Sequence, residues 1–221
     1  MGNLEDGADI HQGQRVHRGG VNPDQAAAAL ILVHGRGAPA RTMIPVAEAL
    51  AGSRTTVLIP EAAGNVWYPQ RFIAPLAENE PFLTSALQVI ADLMAELQGL
   101  GIPPERVVLG GFSQGACLSA EFAARNPRRY GGILAFSGGL IGPLGMEFTH
   151  EGSLAGTPAF IGCSDTDFHI PVERVHDTTR VLSSLGAEVD ERIYPGMGHT
   201  IVEDELEAAG SMIRALEGAQ T

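Results

Sequence analysis

Short apolar runs alternate along this chain with longer segments in which apolar side chains recur every three or four residues. The short runs end at glycine, proline or polar residues, which is typical of strands buried on both faces of a sheet. Residues 28–33, all of them alanine, leucine, isoleucine or valine, form the clearest run. Strands are predicted at 28–33, 54–60, 106–111, 131–136, 157–162 and 188–194.

The longer segments predict amphipathic helices. Between residues 84 and 98, Leu87, Ile90, Met94 and Leu97 recur at spacings of three and four, and glycines then end the segment. Further helices are predicted at 116–124, 172–185 and 202–216. Parallel strands need crossover connections of this length, so the alternation predicts an α/β fold with a mostly parallel central sheet and helices on both faces.

The length fits one domain. A chain of 221 residues that is 44% hydrophobic can fill a core between two helical layers. We expect residues 25–221 to form a single catalytic domain. Residues 1–24 are polar and glycine-rich, and they predict an N-terminal extension or an edge hairpin around residues 10–16.

The composition also bears on location. The sequence has no run of 18 apolar residues, and its first residues lack the positive segment and apolar core of a signal peptide. Two cysteines are too few for a disulfide framework. These features predict a cytoplasmic protein without membrane insertion.

The charge balance narrows the class of partner. The chain has 14 arginines and no lysine against 26 acidic residues, a net charge of -12. Such a surface repels nucleic acid and anionic membranes, so the expected partner is a small molecule. The sequence leaves a homodimer open.

One serine stands where a strand meets a helix. Ser113 follows the strand 106–111 and lies between Gly111 and Gly115 in the spacing GxSxG. A serine on such a tight turn projects its hydroxyl, and glycines allow the close backbone approach that the turn needs. The motif alone is weak in a chain with 28 glycines, because a plain loop between strand and helix fits it equally well.

A serine nucleophile needs a base and an acid to orient that base. In the order Ser, Asp, His the best base is His199, which lies on a loop after the strand 188–194. His176 falls inside a predicted helix, where a solvated surface position is expected. The acid should follow the strand 157–162, and both Asp165 and Asp167 lie there.

An oxyanion needs backbone N–H donors that are in place before the reaction begins. One candidate is the N–H of Gln114, which opens the helix after the serine. The other is the N–H of Arg36, in the loop that follows the strand 28–33.

The same early loop supports a competing interpretation. Residues 35–40 fit G-x-G-x-x-A after a strand, and Glu61 stands where a ribose-binding acid would lie. A dinucleotide-binding oxidoreductase is therefore an alternative. It leaves Ser113 and His199 without a role, whereas a hydrolase uses the glycine loop as well.

Other chemistries have weaker support. The sequence has no HExxH or paired-cysteine motif, so no metal site is predicted, and His169 is expected to be a loop packing residue. Cys117, one helical turn after Ser113, is expected to be a small core residue. A non-catalytic binding module stays open as a further class, because fold alone does not fix function.

Several motifs in order resemble the phospholipase/carboxylesterase family, which includes acyl-protein thioesterases. They are LVHGRG at 32–37, WYP at 67–69, GFSQGA at 111–116, SGG at 137–139, HIP at 169–171 after Asp167, and PGMGH at 195–199. The resemblance covers about residues 28–216.

This resemblance implies an α/β-hydrolase fold without a large lid and hydrolysis of esters or thioesters without a cofactor. It implies a triad of Ser113, Asp167 and His199, since the family's aspartate stands four residues before the proline of its loop. Arg36 stands where thioesterase-like members carry an apolar residue, and Ala116-Cys117 replaces a more common glycine pair. Small carboxylic esters are therefore the expected substrates, with acyl-protein thioesterase and lysophospholipase activity as alternatives.

Substrate contacts are predicted from position alone. Trp67 and Phe72 are aromatic residues on an irregular loop, where they could line an acyl pocket. Leu140 follows the SGG motif, and Met197 lies beside His199. Core packing is the competing interpretation for Trp67 and Phe72.

Overall fold

A seven-stranded sheet runs through the computed structural model, which describes residues 9–218. Its strands are β1 (Val16–Gly20), β2 (Ala28–Val33), β3 (Thr55–Pro60), β4 (Val107–Phe112), β5 (Gly132–Phe136), β6 (Pro158–Ser164) and β7 (Glu188–Tyr194). The spatial order is β1-β3-β2-β4-β5-β6-β7. All neighbours pair in parallel except β1, which runs antiparallel to β3.

Within the described residues, four α-helices lie between strands and a fifth follows β7. They are α1 (Ile44–Leu50), α2 (Phe82–Gly99), α3 (Gln114–Arg125), α4 (Val172–Ser184) and α5 (Glu203–Gly218). No α-helix lies between β5 and β6, so this described stretch carries no helical lid. The predicted α/β-hydrolase class is confirmed, with a mostly parallel sheet between helices on both faces.

Alternate side chains of each strand face the two helical layers, as the pleat requires. In β2, Ala29, Ile31 and Val33 pack in the cluster that contains the buried side chains of α2, α3 and α4. Leu30 and Leu32 pack on the other face, with α1 and α5. Because both faces are buried, the central strands have continuous apolar sequences.

The first strand lies at one edge of the sheet. Val16 pairs with Pro60 and Gly20 pairs with Thr56. The described part of the N-terminal segment thus adds an edge strand to β3 and does not form a hairpin of its own. Residues 1–8 of the predicted extension lie outside the described residues. Between residues 9 and 218, no helix has the length and apolar character needed to cross a membrane.

Candidate active site

The turn between β4 and α3 holds Ser113 in a backbone conformation that side chains rarely adopt, with φ 55° and ψ -117°. Both glycines of the motif are sterically required. A Cβ on Gly115 would lie 2.1 Å from the carbonyl oxygen of Val33, and one on Gly111 would lie 2.4 Å from the carbonyl carbon of Gly115. The close contact of three backbone segments therefore fixes the serine at the carboxyl end of the sheet.

The hydroxyl of Ser113 lies 2.8 Å from Nε2 of His199. On the other side of the ring, Nδ1 of His199 lies 2.6 Å from Oδ2 of Asp167. The carboxylate accepts the Nδ1–H, so Nε2 carries the lone pair that accepts the serine hydroxyl. Asp167 is fully buried at its side chain, whereas His199 is 21% exposed. The three side chains form one continuous hydrogen-bonded chain.

The loop after β6 fixes the orientation of Asp167. Its Oδ1 accepts hydrogen bonds from the backbone N–H groups of His169 and Ile170, at 2.8 and 3.1 Å. The other candidate acid, Asp165, lies on the same loop but accepts a hydrogen bond from the backbone N–H of Gly196 at 2.7 Å. Asp165 therefore joins two loops and does not bond to the imidazole.

The backbone N–H groups of Arg36 and Gln114 have no acceptor within hydrogen-bonding distance among residues 9–218. Both residues line the same cavity as Ser113. Gln114 is also the first residue of α3, where the helix dipole favours negative charge. Two unengaged donors beside a serine hydroxyl are the arrangement that an oxyanion requires.

The side chains of these two residues have a different task, which the sequence did not reveal. Nη1 of Arg36 donates to the carbonyl of Pro69 at 2.7 Å, and Nη2 donates to those of Tyr68 and Gln70. The amide of Gln114 bonds to the backbone of Trp67 and Tyr68, at 2.8 Å each. Together the two side chains hold the loop 67–70 against the serine turn.

Two buried histidines bond to the segment before this loop, and one of them also bonds to Trp67. Nε2 of His34 accepts the N–H of Ala62 at 3.0 Å, and Nδ1 of His11 accepts the N–H of Ala63 at 3.1 Å. Nε2 of His11 donates in turn to the carbonyl of Trp67 at 2.9 Å. Burial lowers the pKa of both imidazoles, so both are neutral and can accept these hydrogen bonds.

A cavity of about 650 Å³ opens over Ser113. Of the predicted site residues, Arg36, Phe72, Ser113, Gln114 and His199 line it. Residues without a predicted substrate contact complete the wall, among them Met43, Val46, Tyr68, Arg71, His169 and Ile201. Tyr68 and His169 lie in the WYP and HIP motifs, but neither motif indicated a substrate contact for them, so the folded chain is needed to identify this wall.

Three predicted substrate contacts do not line the cavity. Trp67 is buried and lies outside the cavity wall. Its indole N–H donates to the carbonyl of His34 at 3.1 Å, and its ring packs on His11. Leu140 is buried in the core, where its N–H donates to Thr178 Oγ1 at 2.9 Å. Met197 is partly exposed on the loop before His199 and lies outside the cavity wall.

The glycine loop after β2 lacks the geometry of a dinucleotide site. Such a site needs a helix that begins at the glycines and points its N–H groups at the pyrophosphate. Here a 3₁₀ turn over Ala40–Met43 follows, and α1 begins only at Ile44. Gly35 instead packs against the serine turn, where a Cβ would lie 3.2 Å from the ring of Phe112.

Both cysteines are buried, and burial raises the pKa of each thiol to about 12. Cys117 lines the cavity but stays protonated at neutral pH, which disfavours a second nucleophile. Among the described residues, no group of three or more histidine, cysteine, aspartate or glutamate side chains could hold a metal ion.

Comparison with known proteins adds to this geometry. Residues 20–217 match the family model described as Phospholipase/Carboxylesterase. A crystal structure of a phospholipase/carboxylesterase from Dyadobacter fermentans superposes with a TM-score of 0.87 at 38% identity, and the match covers 94% of this chain and 99% of that chain.

Curated relatives match over a shorter stretch. Acyl-protein thioesterase 1 of Gibberella zeae is 36% identical over 118 residues, which are 52% of this chain and 49% of that protein. A probable carboxylesterase of Oryza sativa subsp. japonica is 33% identical over 116 residues, 52% of this chain and 43% of that protein. The matched stretch spans about half the length of these relatives or less.

Proposed function

Because the chain belongs to the phospholipase/carboxylesterase family, we propose that it is a serine hydrolase that cleaves small carboxylic esters. The observation that carries the proposal is the hydrogen-bonded chain from Ser113 through His199 to Asp167, with links of 2.8 and 2.6 Å. Such a chain activates a hydroxyl that is otherwise a weak nucleophile at neutral pH.

The proposed reaction has two acyl-transfer steps. His199 takes the proton of Ser113 as the oxygen attacks the ester carbonyl, and Asp167 stabilises the imidazolium. The N–H groups of Arg36 and Gln114 donate to the oxyanion, and the alcohol leaves with the proton from His199. Water then attacks the acyl-serine with the same base, which releases the acid and regenerates the serine. These steps involve no cofactor.

Hydrolysis of p-nitrophenyl acetate and butyrate tests this proposal. We expect turnover by the native protein and a loss of at least about 10³-fold in Ser113→Ala, because the residual rate then rests on binding and the oxyanion donors. Ser119→Ala is the matched control, since Ser119 is a buried serine of α3 whose hydroxyl has no partner among the described residues. Equal rates in the native protein and Ser113→Ala would contradict the proposal.

Thioester hydrolysis is a second candidate, because several curated relatives are named acyl-protein thioesterase 1. The same acyl-enzyme forms from an ester and from a thioester, so a preference for one substrate class must arise at the leaving group. Butyrylthiocholine and butyrylcholine deliver the same acyl group and differ only in the sulfur or oxygen atom of the leaving group, so they can be compared directly. A kcat/KM for the thioester that exceeds that for the oxygen ester would favour this second candidate.

The remaining proposals concern the catalytic domain, the cellular location and the oligomeric state. We propose that residues 25–221 work as one catalytic domain on small-molecule substrates. A cytoplasmic location and a homodimer stay predictions, which cell fractionation and size-exclusion chromatography with light scattering would test.

A further inference from the structure

The cavity over Ser113 differs in charge from the chain as a whole. The chain carries 26 acidic residues and a net charge of -12. The cavity wall, which lies entirely within the described residues, contains no aspartate or glutamate, but it contains two arginines and two histidines. The carboxylate of Asp167 is close, but it is fully buried behind the ring of His199. An acidic protein therefore presents a positive surface at its proposed reaction centre.

Arg71 supplies a charge that the fold does not use. Its Nη2 donates to the carbonyl of His169 at 3.3 Å, and no carboxylate of residues 9–218 lies within ion-pair distance of its guanidinium group. The guanidinium group of Arg36, the other arginine of the wall, donates to three backbone carbonyls. Arg71 is exposed at the cavity wall, and most of its five guanidinium N–H donors have no acceptor among the described residues.

Short contacts connect Arg71 with the nucleophile. Arg71 bonds to the backbone of His169, and the His169 ring stands edge-on to the ring of His199 with centroids 4.8 Å apart. Nε2 of His199 lies 2.8 Å from Ser113 Oγ. Arg71 is therefore linked to Ser113 through His169 and His199, and both residues line the same cavity.

Apolar side chains line much of the remaining wall, beside polar residues such as Thr42 and Thr200. Met43, Val46 and Ile201 line it, and all three belong to the hydrophobic cluster on the α1 and α5 face of the sheet. Tyr68, Phe72 and Ile170 of the wall belong to the cluster on the opposite face. The cavity therefore lies between the two hydrophobic clusters, and its wall combines apolar groups with the charge of Arg71.

We propose that the preferred substrates are esters that carry a carboxylate on one side of the scissile bond, which binds Arg71, and a short apolar group on the other. This inference rests on the proposed function. An arginine binds a carboxylate through two parallel hydrogen bonds, which adds orientation to charge attraction. Hydrolysis consumes one water and yields an acid and an alcohol, one of which carries the additional carboxylate.

Pairs of isosteric esters test this inference. The carboxylate lies on the acyl side in monoethyl glutarate and on the alcohol side in 4-acetoxybutanoate, and the primary amide of each is its neutral counterpart. Initial rates are followed by proton release near neutral pH. We expect kcat/KM for at least one carboxylate to exceed that for its amide by about tenfold or more, chiefly through KM. The preference should weaken as NaCl is raised to about 0.5 M, because salt screens exposed charges.

Variants of Arg71 identify the group responsible. Arg71→Gln should remove the preference, with a loss of about tenfold or more for the carboxylate ester and a change within about twofold for the amide. Arg71→Lys should retain part of the preference, because the charge remains without the planar fork. Arg180→Gln is the matched control, since it removes a charge from the exposed face of α4.

The outcomes separate the two proposals. Equal hydrolysis of carboxylates and amides contradicts the charge preference and leaves the esterase proposal intact. An equal loss for both substrate types in Arg71→Gln also contradicts it, because Arg71 would then only support the loop. No turnover of any ester, including p-nitrophenyl butyrate, contradicts the proposed function itself.

Discussion

Oδ1 of Asp165 and the backbone N–H of Gly196 form a hydrogen bond of 2.7 Å that joins the loop after β6 to the loop before His199. Two residues further on, Oδ2 of Asp167 bonds to Nδ1 of His199 at 2.6 Å. The two aspartates of one short loop thus have different partners. One connects two loops, and the other orients the imidazole.

This difference predicts unequal effects of two similar substitutions. Asp167→Asn should lower kcat by roughly 10³ to 10⁴, because the amide no longer stabilises the imidazolium and favours the wrong tautomer of His199. Asp165→Asn should lower it by less than about tenfold, since an amide oxygen can still accept the N–H of Gly196. Steady-state kinetics with p-nitrophenyl butyrate measures both, and a larger loss in Asp165→Asn would reverse the assignment.

The sequence predicts most of the fold because the central strands are buried on both faces and read as continuous apolar runs. The predicted bounds of β2 match the structure, and those of β3 and β4 differ by one residue. Helix α1 has no counterpart in the prediction. It has only seven residues, contains Pro45 near its start and follows a 3₁₀ turn, so it gives no extended periodicity.

In the candidate site, the sequence predicts the proposed catalytic residues but not most of the residues that form the substrate wall. Motif spacing brings Ser113, His199 and an aspartate to the end of one sheet, because parallel strands share a carboxyl edge. The substrate wall could not be predicted in this way. Met43 and Val46 belong to the unpredicted α1 region, and the direction of Trp67 depends on the buried His11 and His34 rings.

The glycines of the serine turn predict a strong effect on stability. In Gly115→Ala the new methyl group would overlap the carbonyl of Val33, so we expect a loss of about 3 kcal/mol or more in the free energy of unfolding. Gly99→Ala, at the end of α2, is the control, because nothing lies within 4 Å of its Cβ position. Urea unfolding measures both variants, and a loss below about 1 kcal/mol in Gly115→Ala would contradict the packing described.

A buried carboxyl next to the His199 loop predicts a pH-dependent stability. Oε2 of Glu205 accepts the N–H of Val202 at 2.8 Å, and the side chain packs on Gly162. Burial, the largest cause, raises the pKa of Glu205 from 4.5 to about 7. The folded state therefore favours the protonated form. Stability from this group is fully present below about pH 4.5 and is lost as the pH rises through about 7.

Glu205→Gln should remove this dependence. The native protein should lose up to about 3 kcal/mol of unfolding free energy between about pH 4.5 and pH 7.5 through this group, and the variant should not. The difference in unfolding free energy, variant minus native, should therefore increase by that amount. Glu203→Gln, an exposed residue of the same helix, should show no such trend. Parallel pH profiles for Glu205→Gln and the native protein, from urea unfolding, would rule out this titration.

The two thiols predict a chemical signature of the folded state. Burial raises the pKa of Cys117 and Cys163 to about 12, so very little thiolate exists at pH 8. With a disulfide reagent such as DTNB, we expect less than about 0.1 thiol per native chain to react within minutes, and both thiols in denaturant. Rapid native labelling of Cys117 would show that the cavity wall opens in solution.

Covalent trapping of Ser113 tests the proposed nucleophile most directly. A fluorophosphonate reacts with activated serines, and intact-mass analysis with peptide mapping locates the adduct. We expect a single adduct on the peptide that contains Ser113, and no adduct in Ser113→Ala or His199→Ala at the same reagent concentration. An adduct on another residue, or an unlabelled protein that still hydrolyses p-nitrophenyl butyrate, would contradict nucleophilic attack by Ser113.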